Sequence, residues 1–224
     1  MKLLVSVRSL EEALIARQGR ADVVDIKEPI LGSLGRASAS VMSAIVQELS
    51  GKTVLSAALG ELNDFSETTL PDMPIDFWKL GLSGCAGREW QQRLVALRRT
   101  SSQTLVPAAY VDFVRAESPD LSEIAQFVIN ERFPVLLLDT FRKDGRGLFH
   151  WATEEQLTKL AERLRSANID LALAGSLSEA DILSVRRINP CWFAVRGAAC
   201  QDSQREATIN VERVVRLKSL LANR

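Results

Sequence analysis

Residues 135–175 read VLLLDTFRKDGRGLFHWATEEQLTKLAERLRSANIDLALAG, and this stretch shows the pattern that decides the fold. Two short apolar runs, at 135–139 and 171–175, enclose a segment at 153–167 in which apolar residues recur at helical spacing. The same alternation extends through the rest of the chain. Further strands are predicted at 3–7, 23–27, 53–59, 77–82, 104–111 and 192–196. Further helices are predicted at 9–18, from 38 onward, and at about 88–100, 120–131, 178–187 and 210–222, whereas the polar segment 61–74 predicts a short or missing helix.

The regular alternation favours a closed barrel. Eight strands, nearly all followed by a helix and with no Gly-, Ser- or Pro-rich linker between halves, predict an α/β fold of the (β/α)8 type. An open, doubly wound sheet with a similar number of elements is the alternative. The length of 224 residues suits one such barrel, so we predict a single domain over residues 1–224. Barrels of this kind commonly self-associate, and we expect a homo-oligomer.

The charge composition excludes several classes of function. The 28 basic residues balance 28 acidic ones, so the sequence has no basic field for nucleic acid and no basic tail for a membrane surface. No apolar run is long enough to cross a bilayer, and the chain opens directly into an apolar strand. The three cysteines are isolated from one another, which fits reduced thiols. We therefore expect a cytoplasmic protein.

His150 is the single histidine of the chain. One histidine argues against Ser-His-Asp, Cys-His and multi-histidine metal chemistry, so we predict no metal site. Any acid or base of an enzyme with this sequence has to be Lys, Asp, Glu or Tyr. The residue itself lies between Phe149 and Trp151 and is interpreted as a packing or capping residue.

Charged residues lie at the predicted carboxyl ends of the strands, where a barrel builds its active site. The candidates for catalysis are Lys27, Lys79, Asp25, Asp139 and Lys143. An ammonium that interrupts an apolar strand is costly unless it is paired, and a lysine held near other cations has a lowered pKa. Its neutral amine can then attack a carbonyl, while the carboxylates balance the charge and carry protons. The alternative interpretation is a set of buried structural ion pairs.

A second group of strand-end residues predicts a phosphate site. Gly175-Ser176 and Arg196-Gly197 follow strands 7 and 8, where many barrels hold phosphate through backbone N–H groups. Arg196 would add a bidentate contact to the anion. Ser6 and Ser56, near the ends of strands 1 and 3, are further candidates for substrate binding. The alternative is ordinary turn glycines with a surface arginine.

Five segments together carry a resemblance to a known family. They are VVDIKEPILGSLG (23–35), FWKLGL (77–82), LLLDTFRKDG (136–145), LALAGS (171–176) and VRGAAC (195–200). In this order and spacing the chain resembles the (5-formylfuran-3-yl)methyl phosphate synthases, also called 4-(hydroxymethyl)-2-furancarboxaldehyde-phosphate synthases. The resemblance covers essentially the whole chain, and the combination of segments is far more specific than any one of them.

The resemblance implies a (β/α)8 barrel and a lyase reaction in the biosynthesis of methanofuran. Two molecules of glyceraldehyde 3-phosphate would condense to a furan aldehyde phosphate, with loss of phosphate and water. By matching motifs, Lys27 is implied as the Schiff-base lysine and Lys79 as the proton acceptor. Asp25, Asp139 and Lys143 fall on positions implicated in acid–base steps. No cofactor is implied, because the iminium itself is the electron sink.

The chain also departs from the family pattern. It reads Gln-Asp-Ser-Gln-Arg-Glu at 201–206, where archaeal members have a Gly- and Asp-rich stretch, and it has Glu61 in place of an aspartate. Neither departure affects the proposed lysines, and from its general character the chain is interpreted as a bacterial member. Two other hypotheses stay open: a class I aldolase-like barrel acting on another phosphorylated aldehyde or ketone, and a catalytically silent barrel that binds a phosphate ligand or a partner protein.

Overall fold

The protein is described by a computed structural model over residues 1–222. Its eight strands form one closed parallel barrel in the order β1 to β8, so the predicted (β/α)8 fold is confirmed. The strands are β1 (Lys2–Val7), β2 (Val23–Ile26), β3 (Val54–Glu61), β4 (Phe77–Gly81), β5 (Thr104–Tyr110), β6 (Val135–Asp139), β7 (Asp170–Leu173) and β8 (Trp192–Val195). The predicted single domain stays a prediction, and its last two residues, 223–224, lie outside the described residues.

Eight α-helices accompany the strands within residues 1–222. They are α1 (Leu10–Gln18), α2 (Ala39–Leu49), α3 (Trp90–Arg98), α4 (Leu121–Asn130), α5 (Leu148–Trp151), α6 (Glu154–Ser166), α7 (Ile182–Ile188) and α8 (Val211–Ala222). The segment between β3 and β4 contains no helix, as its polar sequence predicts. The four-residue helix α5 has no counterpart among the predicted elements, because a single turn is too short to show periodicity. None of the helices in the described part of the chain is long and apolar enough to span a membrane.

Alternate residues of each strand face the two sides of the barrel wall. In β1, Leu3 and Val5 belong to the large apolar cluster that packs against the helices, whereas Leu4 belongs to a smaller cluster inside the barrel. The other buried members of the interior cluster are Val23, Leu34, Ala58, Val106, Ala108, Val135, Leu137, Ala172, Trp192 and Ala194. The barrel interior is therefore filled with apolar side chains over most of its height.

The same alternation brings the charged side chains into the interior. Asp25 lies two residues beyond Val23, Lys79 two beyond Phe77, and Asp139 two beyond Leu137. Each therefore shares the inward face of its strand but lies one layer nearer the carboxyl ends. The change from apolar to charged side chains marks the layer in which a site can form.

The ring closes where β1 pairs with β8, with Leu3 opposite Phe193. Outside this closure, α8 packs on α1 so closely that a Cβ added at Gly19 would lie 2.5 Å from Cβ of Val214. The φ of Gly19 is −73°, which any residue adopts, so the close approach of α8 explains the glycine.

Candidate active site

A cavity of about 760 Å³ opens at the carboxyl ends of the strands. All five predicted catalytic residues line it, and so do five of the six predicted binding residues. The sixth, Ser56, is fully buried in the barrel wall and does not line the cavity. The structure thus brings residues from six of the eight strand ends to one place, as the barrel predicts.

Asp25 is the centre of one buried cluster. It forms an ion pair with Lys79, and the two side chains are only 1% and 3% exposed. Ser6 Oγ donates a hydrogen bond to Asp25 Oδ2 at 2.8 Å, and Ser56 Oγ donates to Asp25 Oδ1 at 2.9 Å. Three donors therefore fix the position of this carboxylate.

These contacts change the interpretation of both serines. Ser56 cannot touch a ligand in the cavity, which corrects its assignment as a substrate-binding residue: its hydroxyl supports Asp25 instead. Ser6 lines the cavity, but its hydroxyl group donates its hydrogen bond to Asp25. A substrate contact through the remaining lone pairs of Ser6 Oγ stays a prediction.

Asp139 forms the second ion pair. Lys143 Nζ lies 2.6 Å from Asp139 Oδ1 and also donates to Thr140 Oγ1 at 2.9 Å. The backbone N–H of Thr140 donates to the same carboxylate oxygen at 2.7 Å. Burial by itself raises the pKa of Asp139, but the positive charges of Lys143 and Lys27 and these hydrogen bonds outweigh it and hold the pKa below its ordinary value.

Lys27 is the one lysine of the three without a salt bridge in the described part of the chain. It follows β2 directly and is 8% exposed, and its Nζ donates one hydrogen bond, to the carbonyl oxygen of Ser33 at 3.2 Å. Burial lowers its pKa from 10.5 to about 7; Asp139 and Asp25 oppose this shift, while Lys143 and Lys79 add to it. A substantial fraction of Lys27 is therefore a neutral amine near pH 7, which is what a nucleophilic lysine needs.

The loop after β6, residues 140–147, carries Lys143 and is fastened at several points. Asp112 accepts hydrogen bonds from the backbone N–H groups of Phe141, at 2.6 Å, and Arg142, at 3.2 Å. Ser33 Oγ lies 2.7 Å from the carbonyl oxygens of both Thr140 and Phe141, which ties this loop to the one that follows Lys27. Asp112 comes just after a predicted strand, but the sequence alone does not show that its partners are backbone groups.

The side chain of Arg196 does not have the surroundings that a phosphate-binding residue needs. All five of its N–H groups have acceptors within the protein. Nε donates to the carbonyl of Arg205 at 2.5 Å, Nη1 to Ser6 O at 2.9 Å and Glu12 Oε2 at 2.8 Å, and Nη2 to Glu12 Oε1 and Ala207 O, both at 3.2 Å. No donor is left for a phosphate. This corrects the expected bidentate phosphate contact: Arg196 is a buried structural residue, paired with Glu12.

The turns after β7 and β8 retain the features of an anion site. Gly175 and Ser176 both have positive φ, +102° and +55°. Their backbone N–H groups, and those of Gly197 and Ala198, donate no hydrogen bond to any residue between 1 and 222. All four residues line the cavity. Free N–H groups that border a cavity at this end of a barrel are suited to bind phosphate.

A half-buried carboxyl group, Glu61, lies in the wall near Asp139. Tyr110 Oη donates to Glu61 Oε1 at 2.5 Å, and the Ser83 backbone N–H donates to Oε2 at 2.9 Å. Burial raises the pKa of Glu61, and burial together with the charge of Glu61 raises that of Tyr110. Gly81 makes room for the pair, since a Cβ there would overlap with it. Neither residue lines the cavity, so sequence position alone overstates how exposed a strand-end residue is.

His150 and the search for metal ligands complete the description of the site. His150 is exposed on α5, with its ring 5.0 Å from that of Trp151, and it does not line the cavity. Within residues 1–222, no group of three or more His, Cys, Asp or Glu side chains is arranged to hold a metal ion.

The sequence of the chain is similar to those of known proteins. A family model described as 4-HFC-P synthase matches residues 3–218. A protein named (5-formylfuran-3-yl)methyl phosphate synthase from Methanosarcina barkeri is 30% identical over 229 residues, which cover 97% of this chain and 97% of the relative. A protein of the same name from Methanopyrus kandleri is 31% identical over 216 residues, 91% of either chain. Both relatives are archaeal and lend no support to a bacterial origin.

Among solved structures, phosphoribosyl anthranilate isomerase from Thermus thermophilus is similar to this chain with a TM-score of 0.64. The superposition covers 99% of this chain and 98% of that one at 19% identity. At this level of identity the likeness concerns the fold alone.

Proposed function

Since the chain belongs to the 4-HFC-P synthase family, we propose that it is a Schiff-base-forming lyase that makes (5-formylfuran-3-yl)methyl phosphate. Its substrate in this proposal is glyceraldehyde 3-phosphate, two molecules of which condense with loss of phosphate and water. The product would serve the biosynthesis of a methanofuran-type cofactor. The observation that carries the chemical part is Lys27, an amine with a pKa of about 7 beside two lysine–carboxylate ion pairs.

The first steps follow from which lysines are paired. Neutral Lys27 Nζ adds to the carbonyl carbon of one triose phosphate and forms a carbinolamine. Lys79 forms an ion pair with Asp25 and can protonate the carbinolamine hydroxyl, which leaves as water and gives the iminium. Lys79 is then neutral and can accept the α-proton, which yields the enamine. The proton acceptor implied by the family motif is thus first a proton donor.

The Lys143–Asp139 pair is suited to the second half of the reaction. The enamine carbon attacks the aldehyde of the second triose phosphate, whose oxygen needs a proton as the new bond forms. Lys143 carries such a proton and is 13% exposed, the most accessible of the three lysines. Asp139, ionised and buried, forms an ion pair with Lys143 and can accept a proton during the eliminations that close the furan ring.

The free backbone N–H groups after β7 and β8 support a phosphate site on the same cavity. Gly175, Ser176 and Gly197 retain the predicted role, with Ala198 added to them. A phosphate held there would leave the carbonyl end of the triose free to reach Lys27.

The proposal is tested by product formation together with covalent trapping. The protein is incubated with glyceraldehyde 3-phosphate, and the furan chromophore and released phosphate are followed. A parallel sample is reduced with cyanoborohydride and the adduct is located by mass spectrometry. We expect an adduct at Lys27 and a loss of product by at least a thousandfold in Lys27→Met. Lys52→Met, which removes an exposed lysine paired with Glu48 on the helical ring, is the matched control and should stay active.

The possible results separate the three hypotheses. An adduct at Lys27 without a furan product would favour the class I aldolase-like alternative with another phosphorylated aldehyde or ketone. Phosphate binding with no adduct from any carbonyl compound would favour a catalytically silent barrel. Either result would overturn the proposed reaction.

A further inference from the structure

Most cations that line the cavity have an acidic partner. Lys79 is paired with Asp25, Lys143 with Asp139, Arg196 with Glu12 and Arg216 with Glu179. Two further arginines, Arg205 and Arg213, line the same cavity and form no salt bridge with any residue between 1 and 222. Both are only partly exposed. A guanidinium that is partly removed from water without a counter-charge is an attractive site for a small anion.

Arg205 is held at the edge of the Lys27 loop. Its Nη2 donates to the carbonyl oxygens of Pro29, at 2.9 Å, and Gly32, at 3.1 Å. The N–H groups of Nε and Nη1 have no acceptor within the described residues. Burial lowers the pKa of Arg205, with too little negative charge nearby to compensate. Its side chain is thus fixed at one end of the guanidinium, and the N–H groups at the other end are free to donate to a ligand in the cavity.

Arg213 lies in the first turn of α8. Its Nη1 donates to Ser203 Oγ at 3.1 Å, its one side-chain hydrogen bond within the described residues. Ser203 also lines the cavity, so the two arginines border the segment that follows Gly197. This segment approaches the turn closely: a Cβ added at Gly197 would lie 3.1 Å from Ser203 O and 4.0 Å from Arg205 Cβ.

The buried Arg196–Glu12 pair explains how the segment keeps its position. Arg196 holds the carbonyls of Arg205 and Ala207, and Glu12 anchors Arg196 to α1. We propose that Arg205 and Arg213 bind a phosphate group of the substrate, and that Arg196 only positions the segment that carries Arg205. This inference rests on the proposed function, because it takes a triose phosphate as the substrate. It transfers to these two arginines the role that the sequence suggests for Arg196.

The test compares glyceraldehyde 3-phosphate with glyceraldehyde, which lacks the phosphate. The concentration that gives half-maximal trapping at Lys27 is measured for both aldehydes. We expect Arg205→Gln and Arg213→Gln each to raise this concentration for glyceraldehyde 3-phosphate roughly tenfold or more, the effect of losing one charge-assisted contact. For glyceraldehyde the value should change less than about threefold. Arg205→Lys should restore part of the preference, since it keeps the charge.

A second measurement does not depend on Schiff-base chemistry. Inorganic phosphate should raise the melting temperature of the wild type and much less that of the Arg205→Gln/Arg213→Gln double variant. Arg163→Gln, an exposed arginine on α6, is the control and should behave as the wild type. Circular dichroism checks that the variants are folded.

The outcomes distinguish this inference from the proposed function. If the arginine variants weaken trapping of both aldehydes equally, or respond to phosphate as the wild type does, the two arginines are structural and the inference fails. Suppose that the wild type traps neither aldehyde, but that phosphate stabilises the wild type and not the double variant. The arginine site then stands and the proposed reaction fails.

Discussion

At the scale of single residues, the three lysines of the cavity have the same chemistry but different surroundings. Lys79 and Lys143 each face a carboxylate, whereas Lys27 faces a carbonyl oxygen and is buried. Because the pKa of Lys27 is lower in the folded than in the unfolded chain, the unfolded chain binds the extra proton between about pH 7 and 10.5. The contribution of this residue to stability therefore decreases as the pH is lowered across that window.

The pH dependence of trapping at Lys27 follows from the same pKa. We expect the rate of adduct formation to rise with pH and to level off above about pH 7, because only the neutral amine attacks the aldehyde. Lys143→Met removes a positive charge that disfavours protonated Lys27 and frees the negative charge of Asp139. Both effects raise the pKa of Lys27, so the midpoint should move about one pH unit higher.

The measurement is the rate of cyanoborohydride trapping with glyceraldehyde across the pH range, using Lys52→Met as the control. A wild-type midpoint near the ordinary lysine value would contradict the assigned environment of Lys27. A midpoint at lower pH in Lys143→Met than in the wild type would contradict the predicted direction of the shift.

At the scale of elements, the loops after the strands are shaped by side chains from neighbouring units. The loop after β6 is held by Asp112 from the end of β5, and its Asp144 pairs with Arg115 at 2.7 Å. The guanidinium of Arg115 lies 5.0 Å from the ring centre of Trp151 in α5. Neither Asp112 nor Arg115 lines the cavity, so we expect both to act as positioning residues for Lys143.

Asp112→Ala tests the loop contact against a matched control. Asp112 accepts the backbone N–H groups of Phe141 and Arg142, and Asp120 accepts two backbone N–H groups at the start of α4. Losing either carboxylate should lower the free energy of unfolding by roughly 1–3 kcal/mol. Only Asp112→Ala should also speed hydrogen exchange in the loop after β6 and reduce turnover, by an estimated tenfold.

Urea denaturation, hydrogen exchange by mass spectrometry and product assays on the two variants make this comparison. Equal losses of activity in Asp112→Ala and Asp120→Ala would mean that stability alone explains the effect. Asp112 would then have no special part in holding Lys143.

At the scale of the whole molecule, ring closure joins the two ends of the chain. β1 pairs with β8, Arg196 beyond β8 pairs with Glu12 on α1, and α8 packs on α1 at Gly19. The first and last β/α units are therefore one structural neighbourhood, and the cavity depends on both. The homo-oligomeric state stays a prediction.

Gly19→Ala should weaken this closure. The new methyl group would lie 2.5 Å from Cβ of Val214, so α8 must move, at a cost of roughly 1–3 kcal/mol in the free energy of unfolding.

Val214→Ala alone creates a small cavity and is destabilising as well. In the Gly19→Ala/Val214→Ala double variant, the removed methyl groups make room for the added one. The double variant should therefore lose less stability than the sum of the two single variants, measured by urea denaturation. Strict additivity would show that the two residues do not compete for the same space.

Much of this molecule follows from short-range patterns in the sequence. Short apolar runs predict the eight strands, and helical spacings predict most helices, because both patterns reflect which residues are buried. The polar segment 61–74 predicts the absence of a helix between β3 and β4. The same reasoning collects Asp25, Lys27, Lys79, Asp139 and Lys143 at one end of the barrel, since parallel strands bring all their carboxyl ends to one side. The fold class, and the gathering of these five charged residues at one cavity, can therefore be predicted from the sequence alone.

The pairing of these side chains was decided only by the tertiary structure. Arg196 and Glu12 are 184 residues apart, and Glu12 together with three backbone carbonyls accepts all five N–H groups of the arginine that the sequence assigned to phosphate. Ser56 donates to Asp25 and does not line the cavity, and Arg205 and Arg213 line the cavity without an acidic partner among residues 1–222. Such pairings depend on how barrel curvature and side-chain conformations bring distant units within about 3 Å of each other. Local spacing along a chain reports which face a side chain points to, but not which distant group it meets there.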